Sequence, residues 1–306
     1  MTEISLESKP SAGNRQRSLT WTVWHRLCRS PAGVAGTFVF SSIVLIVFLG
    51  PYLHSVDPSK MDIRARNVVM SLAHPLGSDN LGHDLLAQLM VGGRISLAVG
   101  LTAMLLSLFI GTFVGVVAGT MPKLDGWLMR LADLFLSLPI LPLLLVVILL
   151  FRDSLRSLVG AEAGIFLLIV SVIGITSWMH TARVVRGDVL ALRNREFILA
   201  ARSGGIREHQ IVLRHILPNV LSSVLVSATL GLGSAIVAES ALSFLGLGFP
   251  SDFPTWGRML NDGVDFIRTS PSRALWPGLA ISLTVLSINY IGDAIRDALS
   301  PTNDRN

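Results

Sequence analysis

Ser240 and Ser243 stand beside Glu239 in the stretch "AESALSF", an arrangement to be weighed first as a serine nucleophile. Such a serine needs an activating base, and the sequence identifies none. Small residues, as in "GLGSAIVAESALS", also suit close helix–helix contact. Glu208-His209 and His215 carry metal-ligating side chains, but no H-E-x-x-H occurs and a three-ligand zinc site finds no further candidate nearby. Cys28 is the only cysteine, which excludes an intrachain disulfide and a cysteine-based zinc site. A P-loop needs Gly-Lys-Ser/Thr, with the lysine reaching the phosphates. The three lysines occur as Ser8-Lys9-Pro10, Ser59-Lys60-Met61 and Pro122-Lys123-Leu124. No catalytic residue, metal or cofactor is therefore expected. If ATP drives this protein, another subunit hydrolyses it.

The densest polar chemistry lies in "REFILAARSGGIREHQIVLRHILPN", residues 195–219, with four arginines, two glutamates and two histidines between long aliphatic runs. Residues 196–203 are good helix formers, with Phe197, Ile198 and Ala201 at helical spacing. Gly204-Gly205 breaks that helix, since glycine admits positive φ. Residues 206–215 read as a second short helix, and Pro218 suits the first turn of the span that follows. Apolar side chains at such a turn, ringed by arginine, suit docking into a groove on another protein. An amphipathic helix pair on acidic headgroups fits the same spacing.

The flanking elements must be membrane helices. The chain of 306 residues is 51% hydrophobic and 15% charged, where soluble domains average about 25% charged. A net charge of +5 has no single basic domain behind it, so nucleic acid is not an expected partner. Crossing a bilayer takes about 20 mainly apolar residues. Six runs free of Asp, Glu, Lys, Arg and His qualify: 32–53, 95–122, 134–151, 163–179, 216–238 and 274–292. The basic stretch "RQRSLTWTVWHRLCRSP" before the first resembles a signal n-region, but the apolar run is too long for one and reads as an uncleaved anchor. With the N-terminus inside, inner segments hold 16 of the 25 Lys and Arg residues, which predicts cytoplasmic termini. Two outer loops, about 51–93 and 248–273, are too long for simple turns.

Within the spans, ionisable residues are costly and often functional. Glu239 and Ser240 are candidates for the translocation or gating path, although Glu239 equally fits a position at the headgroups. Asp133 is expected to pair with Arg130, and Asp293, Arg296 and Asp297 have helix-surface spacing.

Several blocks resemble one family. "LAARSGGIREHQIVLRHILP" is similar to the EAA loop of ABC importer permeases: Ala200, Ala201, Gly205, Leu217 and Pro218 match in register, while Leu199 replaces the Glu and His215 the Ile. "HPLGSDNLGHDLLAQLMVGGRISL", "GWLMRLADLFLSLP", "AESALSFLGLGFPSDFPTWGRML" and "GDAIRDALSP" resemble further blocks of the dipeptide, oligopeptide and nickel importers, with His83 for an Arg and Ser300 for an Asp. The resemblance covers some 230 residues and implies the C-type permease subunit of such an importer.

It implies an all-α membrane protein of six transmembrane helices with the type I ABC importer permease fold. Its parts would be a cytoplasmic segment 1–31, a first helix 32–53, an external loop 54–93, a permease core 94–293 and a cytoplasmic tail 294–306. Its coupling loop, about 195–218, would place Glu196, Leu199, Ala200, Ala201, Gly205, His215, Leu217 and Pro218 at an ATPase. The implied partners are a second homologous permease, two cytoplasmic ATPase subunits, an extracytoplasmic binding protein and membrane lipid. The implied location is the bacterial inner membrane, and the implied cargo a peptide or a nickel or other metal complex. An ion-gradient-driven secondary transporter is the alternative. It calls for paired intramembrane acids or broken helices, neither of which the sequence makes evident.

Overall fold

The computed structural model describes residues 28–250 and 253–299. Most of the expected N-terminal segment, including most of its basic stretch, and the end of the C-terminal tail lie outside that set. Among the described residues the regular structure is helical, and the sole β pairing is an isolated antiparallel bridge between Ser78 and Asp84.

The chain begins with α1 (Pro31–Leu53), started by Pro31 and capped by Ser30, whose hydroxyl accepts from Gly33 N–H at 3.2 Å. Next come α2 (Leu85–Thr120), α3 (Pro122–Ser137), α4 (Ile140–Val159) and α5 (Ala161–Leu192). Two short helices, α6 (Glu196–Ser203) and α7 (Glu208–Ile211), precede α8 (Leu217–Phe244), and α9 (Trp256–Val264) leads to α10 (Ser272–Leu299). Among the described residues, five helices are long and apolar enough to cross a membrane, and α3 with α4 makes a sixth if the bent pair is counted as one span.

That pair corrects the expected third span. Residues 134–151 run through a 90° bend between α3 and α4. The cause is local: Leu138 precedes Pro139 and is pushed to an extended backbone, φ −79° and ψ 138°. The chain thus does contain a broken helix. Other spans outrun the charge-free runs. α2 begins at Leu85, so the loop expected to reach residue 93 ends at Asp84, and Arg94 lies inside the helix. α5 continues to Leu192, beyond the expected limit at 179. The loop at 248–273 contains α9.

The central seam joins α2 and α5. Gly111, Gly115 and Gly119, four residues apart, let the two backbones approach. A Cβ on Gly115 would sit 2.7 Å from the carbonyl oxygen of Ala182, and one on Gly119 would sit 2.6 Å from Val189 Cβ. α1 packs on α10, and α8 lies against α2, α5 and α10. The bundle has two distinct ends. One carries the 54–84 segment, α9 and the start of α10; the other carries α6, α7 and the last turns of α5 and α10.

The 54–84 segment is built rather than slack. Ser78 N–H donates to Val68 O at 3.0 Å and Asn67 N–H to Asp79 O at 3.0 Å. Asp84 is the knot. Its buried carboxylate caps α2 through Ala87 N–H at 2.8 Å, and accepts from His54 Nε2 at 3.2 Å and His74 Nδ1 at 2.8 Å.

Candidate functional site

The arginine-rich segment forms a tight helical hairpin. α6 ends in a two-bond glycine cap: Gly205 N–H donates to Arg202 O at 3.0 Å and Ile206 N–H to Ala201 O at 3.2 Å. Gly205 sits at φ +78°, the left-handed region that favours glycine. Arg202 then clamps across the turn onto Glu208, at 2.7 and 3.2 Å. The inner face of the hairpin is apolar. Ile198, Ile211, Ile216 and Val220 are buried with Val185 and Val189 of α5, so the hairpin shares one core with α5 and α8.

The expected single helix over 206–215 is corrected. α7 ends at Ile211 and a π turn, Val212–Ile216, carries the chain into α8. Leu217 N–H reaches back five residues to Val212 O. Pro218 accounts for the widened turn, because it has no N–H for the carbonyl of Arg214 and its ring crowds that carbonyl.

The structure divides the predicted hairpin residues by exposure. Glu196, Leu199, Ala200 and Gly205 are exposed with Ile206 on the outer surface, whereas Ala201 and Leu217 are half-buried. His215 is half-buried too, with its ring 6.4 Å from that of Phe197, and so ties the π turn to α6. Pro218 is exposed at the start of α8. Glu208 is taken up by Arg202.

A cavity of about 590 Å³ opens between α2, the α3–α4 bend, α5 and α8. Its wall is mainly apolar, with Met104, Phe135, Leu136 and Leu230 among the lining, and Ser107, Thr176, Thr181, Ser227 and Ser234 set hydroxyls in it; His180 is its titratable side chain. These residues were not singled out from the sequence. The available signal was the hydroxyl series Ser223, Ser227 and Ser234 along one face of α8, at helical spacings of four and seven.

Glu239 and Ser240 do not line that cavity. Glu239 is fully buried near the opposite end of α8 from the hairpin, with no exposure to headgroups. Ser243 Oγ donates to its Oε1 at 2.7 Å, and Ser96, Ser240 and Thr255 surround it with hydroxyls. Packing is tight: a Cβ on Gly257 would sit 2.7 Å from Ser240 Cα. These residues hold α2, α8 and the entry to α9 together.

Asp133 pairs with Arg183 of α5 rather than with Arg130. Together with Asp125, which takes the guanidinium of Arg186 with an Nη2–Oδ2 contact of 2.6 Å, it fastens α3 along α5. Asp293 and Arg296 approach to 3.9 Å at the exposed end of α10.

Comparison with known proteins agrees with this geometry. The family described as binding-protein-dependent transport system inner membrane component matches residues 107–305. The N-terminal transmembrane domain of oligopeptide transport permease C matches residues 18–75. The oligopeptide transport system permease protein OppC of Escherichia coli K12 is 38% identical over 288 residues, covering 93% of this chain and 92% of that protein. The dipeptide transport system permease protein DppC of Bacillus subtilis is 36% identical, covering 93% and 86%. The glutathione transport system permease protein GsiD of Pectobacterium atrosepticum is 36% identical, covering 91% and 89%. Among solved structures, a chain of the inward-facing MetNI methionine ABC transporter in its CY5 native crystal form superposes with a TM-score of 0.54 at 22% identity, covering 70% of this chain and 96% of that one. That likeness shows the fold, a type I ABC importer permease. Sequence and architecture together place the chain in the family of binding-protein-dependent transport system inner membrane components, as a multi-pass membrane protein with the permease C N-terminal domain.

Proposed function

We propose that this chain is one permease subunit of an ATP-driven, binding-protein-dependent importer of peptides. It would sit in the bacterial inner membrane with both termini in the cytoplasm. The observation that carries the coupling role is the hairpin's division into two faces. Its outer face presents Leu199, Ala200, Gly205 and Ile206 to a partner, while its inner face is continuous with the core of α5 and α8. A cytoplasmic ATPase pressing on the outer face would move both spans. Small Ala200 and the side-chain-free Gly205 allow that partner a close backbone approach.

The peptide assignment is supported by relatives named for dipeptide, oligopeptide and glutathione transport. The hydroxyl-lined cavity beside α8 supplies half of the path, and a second, homologous permease supplies the rest. Its volume, about 590 Å³, is in the range of about 300–1,000 Å³ usual for small-molecule sites. Thr176 and Ser234 give their hydroxyl protons to Val172 O and Leu230 O. Their oxygens, with Ser107, Ser227 and His180, add hydrogen-bonding groups for a peptide's amides to a mainly apolar wall. A binding protein would deliver cargo at the end carrying the 54–84 segment. Glu239 and Ser240 act in gating as the fixed joint between α2, α8 and α9. ATP hydrolysis belongs to the separate ATPase subunits.

The test is purification of the tagged chain in mild detergent from its host, followed by identification of what accompanies it and ATPase and uptake assays. Wild type should retain a second permease and ATP-hydrolysing subunits. Gly205→Asp, still folded, should lose the ATPases or the coupling of hydrolysis to uptake. A wild-type chain that comes out alone, yet moves solute on an ion gradient in vesicles, would overturn the reading.

A further inference from the structure

A second cavity, of about 340 Å³, opens at the hairpin's end of the bundle, between α5, the first turns of α8 and the last turn of α10. Val184, Ser227 and Leu230 line both it and the cavity beside α8, so the two adjoin. Ser223 stands one turn before Ser227 on α8 and lines it too. Among the described residues neither hydroxyl has a hydrogen-bond partner, and neither is closed off by packing. Of the described residues in the lining, Arg296 alone carries charge. Its side chain is 55% exposed, and its ion-pair contact is with Asp293 at 3.9 Å, too long for a hydrogen bond. No other described residue takes an N–H of this guanidinium. A loose, exposed pair of that kind contributes little, so Asp293 does not occupy the fork.

The two cavities together form a mainly apolar conduit, set with hydroxyls, that ends on a cation. A peptide's amides find partners along it, but its terminal carboxylate needs more, since a charge against an apolar wall is costly until it is paired. The Arg296 fork matches the two oxygens of a carboxylate, and the hydroxyls of Ser223 and Ser227 can donate to them on the approach. We propose that Arg296 is a specificity-determining residue of the path. At the inner mouth it receives the free carboxylate of the cargo, and so favours solutes that carry one over the same solutes with a neutral end. This rests on the reading of the cavity beside α8 as half of the path.

The test uses the full chain purified with the subunits it retains, and phenylglyoxal, which modifies open guanidinium groups; the modified site is read by mass spectrometry after digestion. Arg296 should react, and tri-alanine should slow that reaction saturably and at least fivefold. Tri-alanine amide should not slow it. Ser223→Asp, which sets an acid in the cavity and leaves Arg296 in place, should cut the protection at least fivefold. In sealed vesicles, Arg296→Gln should lower ATP-driven uptake of tri-alanine at least fivefold, and Arg296→Lys should recover most of it. Equal protection by acid and amide overturns the proposal, as does an Arg296 that never reacts. Protection by phosphatidylglycerol but not by tri-alanine gives the guanidinium to a lipid headgroup and overturns it too. Uptake without protection removes the site and keeps the importer, whereas protection without uptake keeps the site and removes the importer.

Discussion

Arg94 Nε donates to the carbonyl of Val47 at 3.0 Å, and Nη2 of the same guanidinium donates to Phe48 at 2.8 Å. Val47 O is the acceptor left without a helical donor by Pro51, four residues on. An arginine on α2 thus repairs a gap that a proline makes in α1. Leaving Val47 O unmet should cost about 1–3 kcal/mol, so Arg94→Met should lower the melting temperature. Pro51→Ala restores the N–H within α1. In that background Arg94→Met should cost distinctly less, and a thermal double-mutant cycle measures the difference. Additive effects would show that the two residues are not linked.

Gly205 is held by its φ of +78° and by nothing else, since a Cβ there meets no atom within 4 Å. A β-branched side chain in that conformation costs about 1–2 kcal/mol, whereas Asn visits it readily. Gly205→Val should therefore speed amide exchange at Ile206, whereas Gly205→Asn should leave that exchange close to wild type. Uptake should fall in both variants, since either side chain intrudes on the close approach of the proposed partner, and wild-type uptake in Gly205→Asn would show that conformation alone is what the glycine supplies.

The glycine seam between α2 and α5 makes a different demand, because there the space is filled. Gly115→Ala should lower stability by about 1–3 kcal/mol, read as reduced thermal stability in detergent. Gly126→Ala is the control, its Cβ meeting no atom within 4 Å on exposed α3.

Asp84→Ala removes the cap of α2 and the shared acceptor of His54 and His74. The cap alone is worth about 1–2 kcal/mol, and the 54–84 segment should also loosen, with faster amide exchange at Val68 and Ser78. Asp84→Asn keeps an acceptor oxygen for Ala87 N–H and should recover part of the loss.

In the hydroxyl-lined cavity, Ser227→Trp should block uptake while leaving the purified complex assembled and hydrolysing ATP. Disassembly in place of blockage would put Ser227 at a structural contact rather than on the path.

The spans were legible in the sequence because lipid tolerates no unpaired charge, so charge-free runs mark their middles. Their ends were not legible. Arg94, Arg183 and Arg186 belong to helices whose partners (carbonyls of α1 and acids of α3) are distant in the chain and accommodate the charge. The bend at Leu138-Pro139 escaped for the opposite reason: both sides of it are apolar, and hydropathy carries no direction. In the hairpin, Ile198 and Gly205 were readable from helical spacing and glycine chemistry. The π turn was not, since it answers to the ring of Pro218 two residues beyond it. The enclosure of Glu239 depended on Ser96 and Thr255, which only folding brings to it.

The shared core of the hairpin has a mechanical corollary. With Ile198 and Ile211 packed among Val185, Val189 and Val220 at close-packed density, the hairpin cannot act as a tether that slackens under load. It is a crank welded to two shafts. A displacement delivered at Ala200 would reach α5 and α8 together. The compliance that lets one part of the bundle travel past another would then reside elsewhere, and the elbow between Ser137 and Ile140, where the chain turns by 90° between α3 and α4, is one place for it.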